Sequence, residues 1–561
     1  MRRSSASTVV IACLIAFAVA LPVLSVAVNL FTPGTSRTWA HLLSTVLPEY
    51  LLNSLWLCAG VGIGVAAIGT GAAWLVALHD FPGRRHFEWA LLLPLAMPGY
   101  VLAYTYTDAL QFVGPLQSWL RGVTGWQKGD YWFPEVRSLG GAIAMFCCIL
   151  YPYVYLLART AFLERGATLI EAARVLGRSR TRAFFEVSLP LARPAIVVGV
   201  AQALMETLAD YGTVAYFAVP TFTTGIYRAW FSLGDRVAAA QLAACLMGFV
   251  LLLIGMEFAS RGRAAFHQPG GRPAPQRHRL RGLRGWLATL GCLFPLMIGF
   301  VVPALLLLQM AFADGDPQFG ARYWMLARNS LLLATLAALL AAALALLLAY
   351  GGRQARTAQP VRAGFGRFVR LLPRLANRVV SLGYAIPGSV IAVGVLIPVT
   401  RLDHWLGGLW QQAFGVHPGL LLTGGISALM YAYLARFLSI GLQTVDAGLT
   451  RVTPTMDAAA RSLGSAPAEV LRRVHWPLVR TSVLAAALLV FVDVMKELPA
   501  TMVMRPFNFD TLATQTFRLA SDERLSEAAT AALMIVAVGL LPIVLLARQI
   551  AARIHFQPTR S

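Results

Sequence analysis

Charge is what this sequence has least of. Only 13% of its 561 residues are charged, against roughly 25% in an ordinary soluble domain. That shortage excludes a water-soluble globule of this length. Lysine is nearly absent, with Lys128 and Lys496 the two examples among 47 basic residues. The six cysteines (Cys13, Cys58, Cys147, Cys148, Cys245 and Cys292) fall inside apolar runs without metal-ligand spacing, so they read as small hydrophobes. A Gly-x-x-x-x-Gly-Lys-Ser/Thr phosphate loop is missing, which excludes nucleotide hydrolysis by that route. Basic stretches interleaved with aromatics on a soluble domain are missing as well. The formal charge of +22 therefore does not point to nucleic acid.

What is abundant is apolar sequence, 58% of the chain. Runs such as Val9 to Leu30, Ser330 to Tyr350 and Ala528 to Leu546 are as long as a bilayer is thick. The chain reads as an all-α polytopic membrane protein of about twelve spans. In the first half they are expected near 9–31, 52–78, 88–108, 138–160, 194–216 and 238–259. In the second half they fall near 285–312, 329–350, 370–396, 420–440, 480–504 and 527–547. Pro98-Gly99 and Pro387-Gly388 interrupt the third and ninth. Met1-Arg2-Arg3 imitates a secretory signal, but the run behind it is too long for one, so a retained first span is expected.

Arginine sets the orientation. It is dense at Arg84 and Arg85, from Arg159 to Arg193, from Arg353 to Arg378, from Arg436 to Arg480, and at Arg548 and Arg553. The alternate loops hold scattered residues such as Arg37, Arg121, Arg228, Arg322 and Arg505. The positive-inside rule makes the dense set cytoplasmic and puts both termini inside. Residues 261–284, with Pro269 to Pro275 at their centre, are basic, rich in Pro and Gly, and read as a flexible cytoplasmic linker. It separates a first half, 1–260, from a second, 285–561.

The halves repeat. Asn53-Ser54-Leu55 answers Asn329-Ser330-Leu331, and Ala96 to Gly99 answers Ala385 to Gly388. Tyr155 to Arg159 is paired with Tyr433 to Arg436 as the end of the fourth span. The most specific mark follows it. Glu171-Ala172-Ala173, then Gly177 and Pro190, is matched by Ala458-Ala459-Ala460, Gly464 and Pro477, with 13 residues from Gly to Pro in both. The same number of spans precedes each copy, so the repeats are parallel. The segment predicts a short helix, a glycine at positive φ, and a second helix starting at the proline. The adjacent alanines would form a small-residue face that another protein can approach.

These residues resemble the Glu-Ala-Ala signature of permeases from binding-protein-dependent ABC importers. The resemblance implies two homologous six-helix permease halves in a bacterial inner membrane. It also implies that the loops near 165–193 and 451–480 are coupling loops that dock on ATPase subunits. Two copies of a cytoplasmic ATPase, which uses ATP and Mg, and a periplasmic substrate-binding protein are the expected partners, with no cofactor held by this chain and no enzyme activity of its own. Ala458 departs from the signature's glutamate, which unsettles equal roles for the two loops.

Ionisable residues inside spans are costly and suggest function. Glu206 and Asp210 are expected on one helical face, and Asp493, Lys496 and Glu497 stand in the second half. From the prolines, Glu206 and Asp493 are both 16 residues in, and Asp210 and Glu497 both 20. At about 1.5 Å per residue that is roughly 24 and 30 Å along the helix. Four carboxylates against one lysine would attract a cation and suit a hard metal ion as cargo. The alternative is that Lys496 pairs with Asp493 or another carboxylate and orients the helices. The text around them, Met205 to Val214, Thr221 to Arg228, Lys496 to Thr501 and Arg505 to Thr514, resembles fused ferric-iron permeases. That implies ferric cargo, with thiamine, a polyamine or a phosphonate on the same architecture as alternatives. Residues 225–236 and 505–524 are expected outside, either receiving the binding protein or capping the bundle. A twelve-span secondary transporter, which has no need of duplicated Gly-to-Pro loops, is the competing class.

Overall fold

The computed structural model describes residues 2–32, 42–163, 173, 175–261, 277–313, 315, 319–357, 365–450, 452–464 and 467–555. It is helical nearly throughout. The first half comprises α1 (Arg2–Leu30), α2 (Leu47–Leu78), α3 (Arg84–Ala90), α4 (Gly99–Leu110), α5 (Pro115–Thr124), α6 (Leu139–Ala161), α7 (Leu189–Ala209), α8 (Gly212–Tyr216), α9 (Phe222–Tyr227) and α10 (Arg236–Arg261). The second comprises α11 (Leu283–Leu296), α12 (Val302–Ala313), α13 (Ala321–Thr357), α14 (Phe365–Ser381), α15 (Gly388–Phe414), α16 (Ser427–Leu449), α17 (Pro454–Ser462), α18 (Trp476–Met495), α19 (Pro499–Met504), α20 (Leu512–Ser521) and α21 (Leu525–His555).

Among the described residues ten helical segments are long and apolar enough to cross a membrane, and one bent pair makes an eleventh candidate. The bent pair is the expected third span, which turns by 90° at Pro98-Gly99. The expected ninth span is also displaced. α14 stops at Ser381, and the long apolar helix starts at Gly388 and runs to Phe414. Both departures have one cause. A proline cannot sit inside a helix without losing a hydrogen bond, and the residue before it is pushed to extended backbone. Met97 and Ile386 are extended, each after a short 3₁₀ turn, and a fresh helix begins after the proline. α16 is long enough to be the tenth span, but Arg436 and Asp446 lower its hydropathy.

Prolines shape four other helices in a common way. The π turns Leu42–Val46, Phe184–Ser188, Met297–Val301 and Leu471–His475 each end two residues before a proline: Pro48, Pro190, Pro303 and Pro477. The extra residue in the turn moves aside the carbonyl that the proline ring would strike. Pro190 and Pro477 fall in the first turn of α7 and α18, as expected from sequence, but these helices continue from a preceding turn. Helical chain already starts at Arg180 and Pro467.

The chain forms two compact units that partition it differently from its repeat. One holds Met1–Thr38, Ile226–Met247 and Gly320–Gln515; the other holds Trp39–Gly225, Gly248–Phe319 and Thr516–Ser561. In the first unit α1 packs on α14 and α15, and the backbone of Pro22 lies against Gly394 with no room for a Cβ. Gly441 of α16 likewise lies on Ala341 and Ala345 of α13. Glycines make the close contacts of the second unit as well. Gly60, Gly64 and Gly69 of α2 meet Ile143, Cys147 and Tyr151 of α6. Small residues at such contacts let helices approach where no hydrophobic force drives them together.

Residues 262–276 of the linker lie outside the described residues. Its end, expected to be flexible, is held in the second unit. His278 and Arg279 pair in parallel with His79 and Asp80, and Arg277 reaches Glu88 at 3.8 Å. Glu88 is buried and also pairs with Arg84 and, at 3.5 Å, with Arg159.

Candidate functional site

The glycine marks of the two cytoplasm-assigned loops have the same local geometry. Gly177 and Gly464 both adopt φ +83°, a conformation that costs other residues but not glycine. The Arg178 amide donates to Ala173 O at 3.0 Å, and the Leu463 amide to Ala459 O at 3.1 Å, closing the ends of the short helices. Ala173 and Ala460 are buried. Ala458 and Ala459 are exposed, whereas Glu171 and Ala172 lie outside the described residues. Sequence reasoning missed the residue before each glycine. Leu176 is 82% exposed and Leu463 85%, apolar side chains presented at the turn in both copies. The repeated Leu-Gly was the available signal.

The register that places Gly177 on Gly464 also places Pro190 on Pro477, Glu206 on Asp493, Asp210 on Glu497, and Ile149 on Arg436. The last pair corrects the sequence alignment. Arg436 does not end its helix as Arg159 does; α16 continues to Leu449, and the Tyr-to-Arg strings are not equivalent. Arg436 is instead buried within α16, where its Nη1 lies 3.2 Å from Glu497 Oε1.

The helices after the loops also end sooner than expected. α7 stops at Ala209, so Glu206 and Asp210 do not share a helical face: Asp210 is extended (ψ 137°). Its Oδ1 accepts the Thr213 amide at 2.8 Å, at the start of α8. In the other unit α18 stops at Met495, and Glu497 caps α19. Oε1 accepts the Ala500 amide at 2.8 Å, and Oε2 accepts the Thr501 amide at 3.0 Å and the Thr501 hydroxyl at 2.5 Å. Both carboxylates therefore satisfy backbone donors that a helix start leaves open. Asp493 and Lys496 are paired, Nζ to Oδ1 at 2.8 Å. Among the described residues, no three His, Cys, Asp or Glu side chains gather in a way that could hold a metal ion.

Each Pro-Gly mark closes on the matching break. A Cβ on Gly99 would come within 2.6 Å of Thr213 Oγ1 and 3.3 Å of both Asp210 Oδ2 and Ile149 Cδ1. A Cβ on Gly388 would come within 2.7 Å of Arg436 Nη1 and 2.8 Å of Glu497 Oε1. The Asn-Ser marks also have work to do. Asn53 Nδ2 donates to Pro220 O at 2.9 Å, and Asn329 Nδ2 to Asp510 O at 3.0 Å. Each fixes the loop before α9 or α20. There Thr224 and Thr514 hydroxyls accept the amides of Thr221 and Thr511 at 2.8 and 2.9 Å.

The chain is similar to known transport proteins. Residues 68–259 match the family described as binding-protein-dependent transport system inner membrane component. Over 540 residues the chain is 26% identical to the Fe(3+)-transport system permease protein FbpB 2 of Haemophilus influenzae, covering 95% of this chain and 96% of the relative. It is 24% identical to the putative ferric transport system permease protein FbpB 1 of the same organism, over 89% of this chain and 77% of that one. The molybdenum transport system permease protein ModB of Escherichia coli is 30% identical over 33% of this chain and 79% of its own length. With its repeated loops and its apolar helices, the chain belongs to the binding-protein-dependent inner membrane components, the permease subunits of ABC importers.

Proposed function

We propose that this permease imports ferric iron, delivered by a periplasmic binding protein, by alternating access driven by two separate ATPase subunits. The observation that carries the cargo is the likeness to the Fe(3+)-transport permease along nearly the whole chain. The similarity to a molybdenum permease covers a third of the chain, so it supports the permease class and not an oxyanion cargo.

In this reading Leu176 and Leu463 are the apolar contacts that each loop offers to its ATPase, with ATP and Mg held by that partner. Movement of the loops is passed up α7 and α18, and the cargo's specificity comes from the binding protein. Both termini are cytoplasmic, as the arginine distribution requires. The outer segments 225–236 and 505–524 receive the binding protein.

The test is uptake of radioactive ferric iron by cells with and without the gene, alongside thiamine. Loss of iron uptake alone, restored by the wild-type gene, is the expected result. Intact iron uptake with lost thiamine uptake would keep the permease class and replace the cargo.

A further inference from the structure

Charge alone makes every carboxylate after the coupling loops a candidate cargo ligand. The geometry around Glu497 does not. We infer that Glu497 and Arg436 are positioning residues, a buried neutral pair that sets the break between α18 and α19, and that Glu497 does not contact cargo. This rests on the importer reading.

Three features carry this, and the first is the count of acceptor sites. A carboxylate offers about four lone-pair sites. Those of Glu497 take the Ala500 amide, the Thr501 amide, the Thr501 hydroxyl and Arg436 Nη1, the last at 3.2 Å. None remains for a metal ion or an ammonium group. The second is access. Glu497 is 4% exposed, and the Gly388 backbone lies so close to both Oε1 and Arg436 Nη1 that a single added methyl would touch them. The third is the other half. Asp210 caps α8 from the matching position, with Ile149 where Arg436 would be, so a cap at this break does not itself require a cation. Glu497 is buried where Asp210 is half-buried, and a buried charge needs a partner, which Arg436 supplies.

This distinguishes two kinds of loss. Glu497→Gln keeps one oxygen that accepts a backbone amide, turns the other into a donor, and removes the carboxylate that faces the buried Arg436 charge. Arg436→Met leaves the opposite charge. The double variant Arg436→Met with Glu497→Gln removes both charges and keeps one of the two cap oxygens.

The experiment compares the wild type, both single variants and the double as full chains. It reads the thermal midpoint of each purified permease, and ferric-iron uptake with the ATPase subunits and binding protein present. Each single variant is expected to lower the midpoint by several degrees and the maximal rate by about tenfold, with KM unchanged. The double variant is expected to be more stable than either single and to transport at a rate within about threefold of wild type. A double variant more stable than either single yet moving no iron would overturn the inference, since Glu497 would then be acting on cargo. A double variant no more stable than the singles would overturn it too, because the two charges would not be coupled. If the wild type itself moves no iron, the cargo assignment fails and the midpoints alone decide the pairing.

Discussion

At the scale of single residues, two glycines and one arginine show how position decides meaning. Among the described residues a side chain at Gly177 or Gly464 would meet nothing, so the cost of replacing them lies in the backbone at φ +83°. A β-branched residue in that conformation loses about 1–2 kcal/mol, whereas asparagine adopts it readily. Gly177→Val and Gly464→Val should therefore cut uptake at least about tenfold while leaving the protein in the membrane, and Gly177→Asn should stay close to wild type. Immunoblots of membranes and uptake rates check this together; normal uptake in both valine variants would remove the coupling role. The need for glycine was legible in the sequence because its spacing to the proline recurs. Arg436 was not. A local match, Tyr433 to Arg436 on Tyr155 to Arg159, hid its true register within α16, and a lone arginine in an apolar stretch reads as a loop residue.

At the scale of elements, apolar length located most helices but not their breaks. The run after Glu206 continues through Tyr211 to Tyr216 without a proline, so nothing in the sequence marks the end of α7 at Ala209. Pro499 did mark the matching break, and the repeat could have carried it back to the first half. The π turns before Pro48, Pro190, Pro303 and Pro477 were likewise beyond a reading that lets proline either start a helix or end it. The Asn-Ser marks were visible only as a repeat; their purpose is a bond across the fold. Asn329→Ala would leave the Asp510 carbonyl without this donor and free the loop before α20, at a cost of about 1–3 kcal/mol. A drop in the thermal midpoint of the purified chain, matched by Asn53→Ala, is expected. Unchanged midpoints in both would mean that the bonds contribute nothing to holding the loops.

At the scale of the whole molecule, the repeat and the packing divide the chain along different lines. α1 belongs to the first half of the sequence but packs with α14 and α15 of the second, and α11, α12 and α21 belong to the second half but pack with elements of the first. Helices exchanged in this way make each half depend on the other for a complete core, so either half expressed alone would expose apolar faces that its partner covers. In the proposed function the energy for transport arrives through the duplicated loops from a separate ATPase, and not through an ion gradient. Proteoliposomes holding the permease, its ATPase subunits and the binding protein loaded with radioactive ferric iron test it directly. Uptake that appears with ATP, and is absent under a proton or sodium gradient without ATP, is the predicted result. Uptake driven by either gradient alone would contradict it.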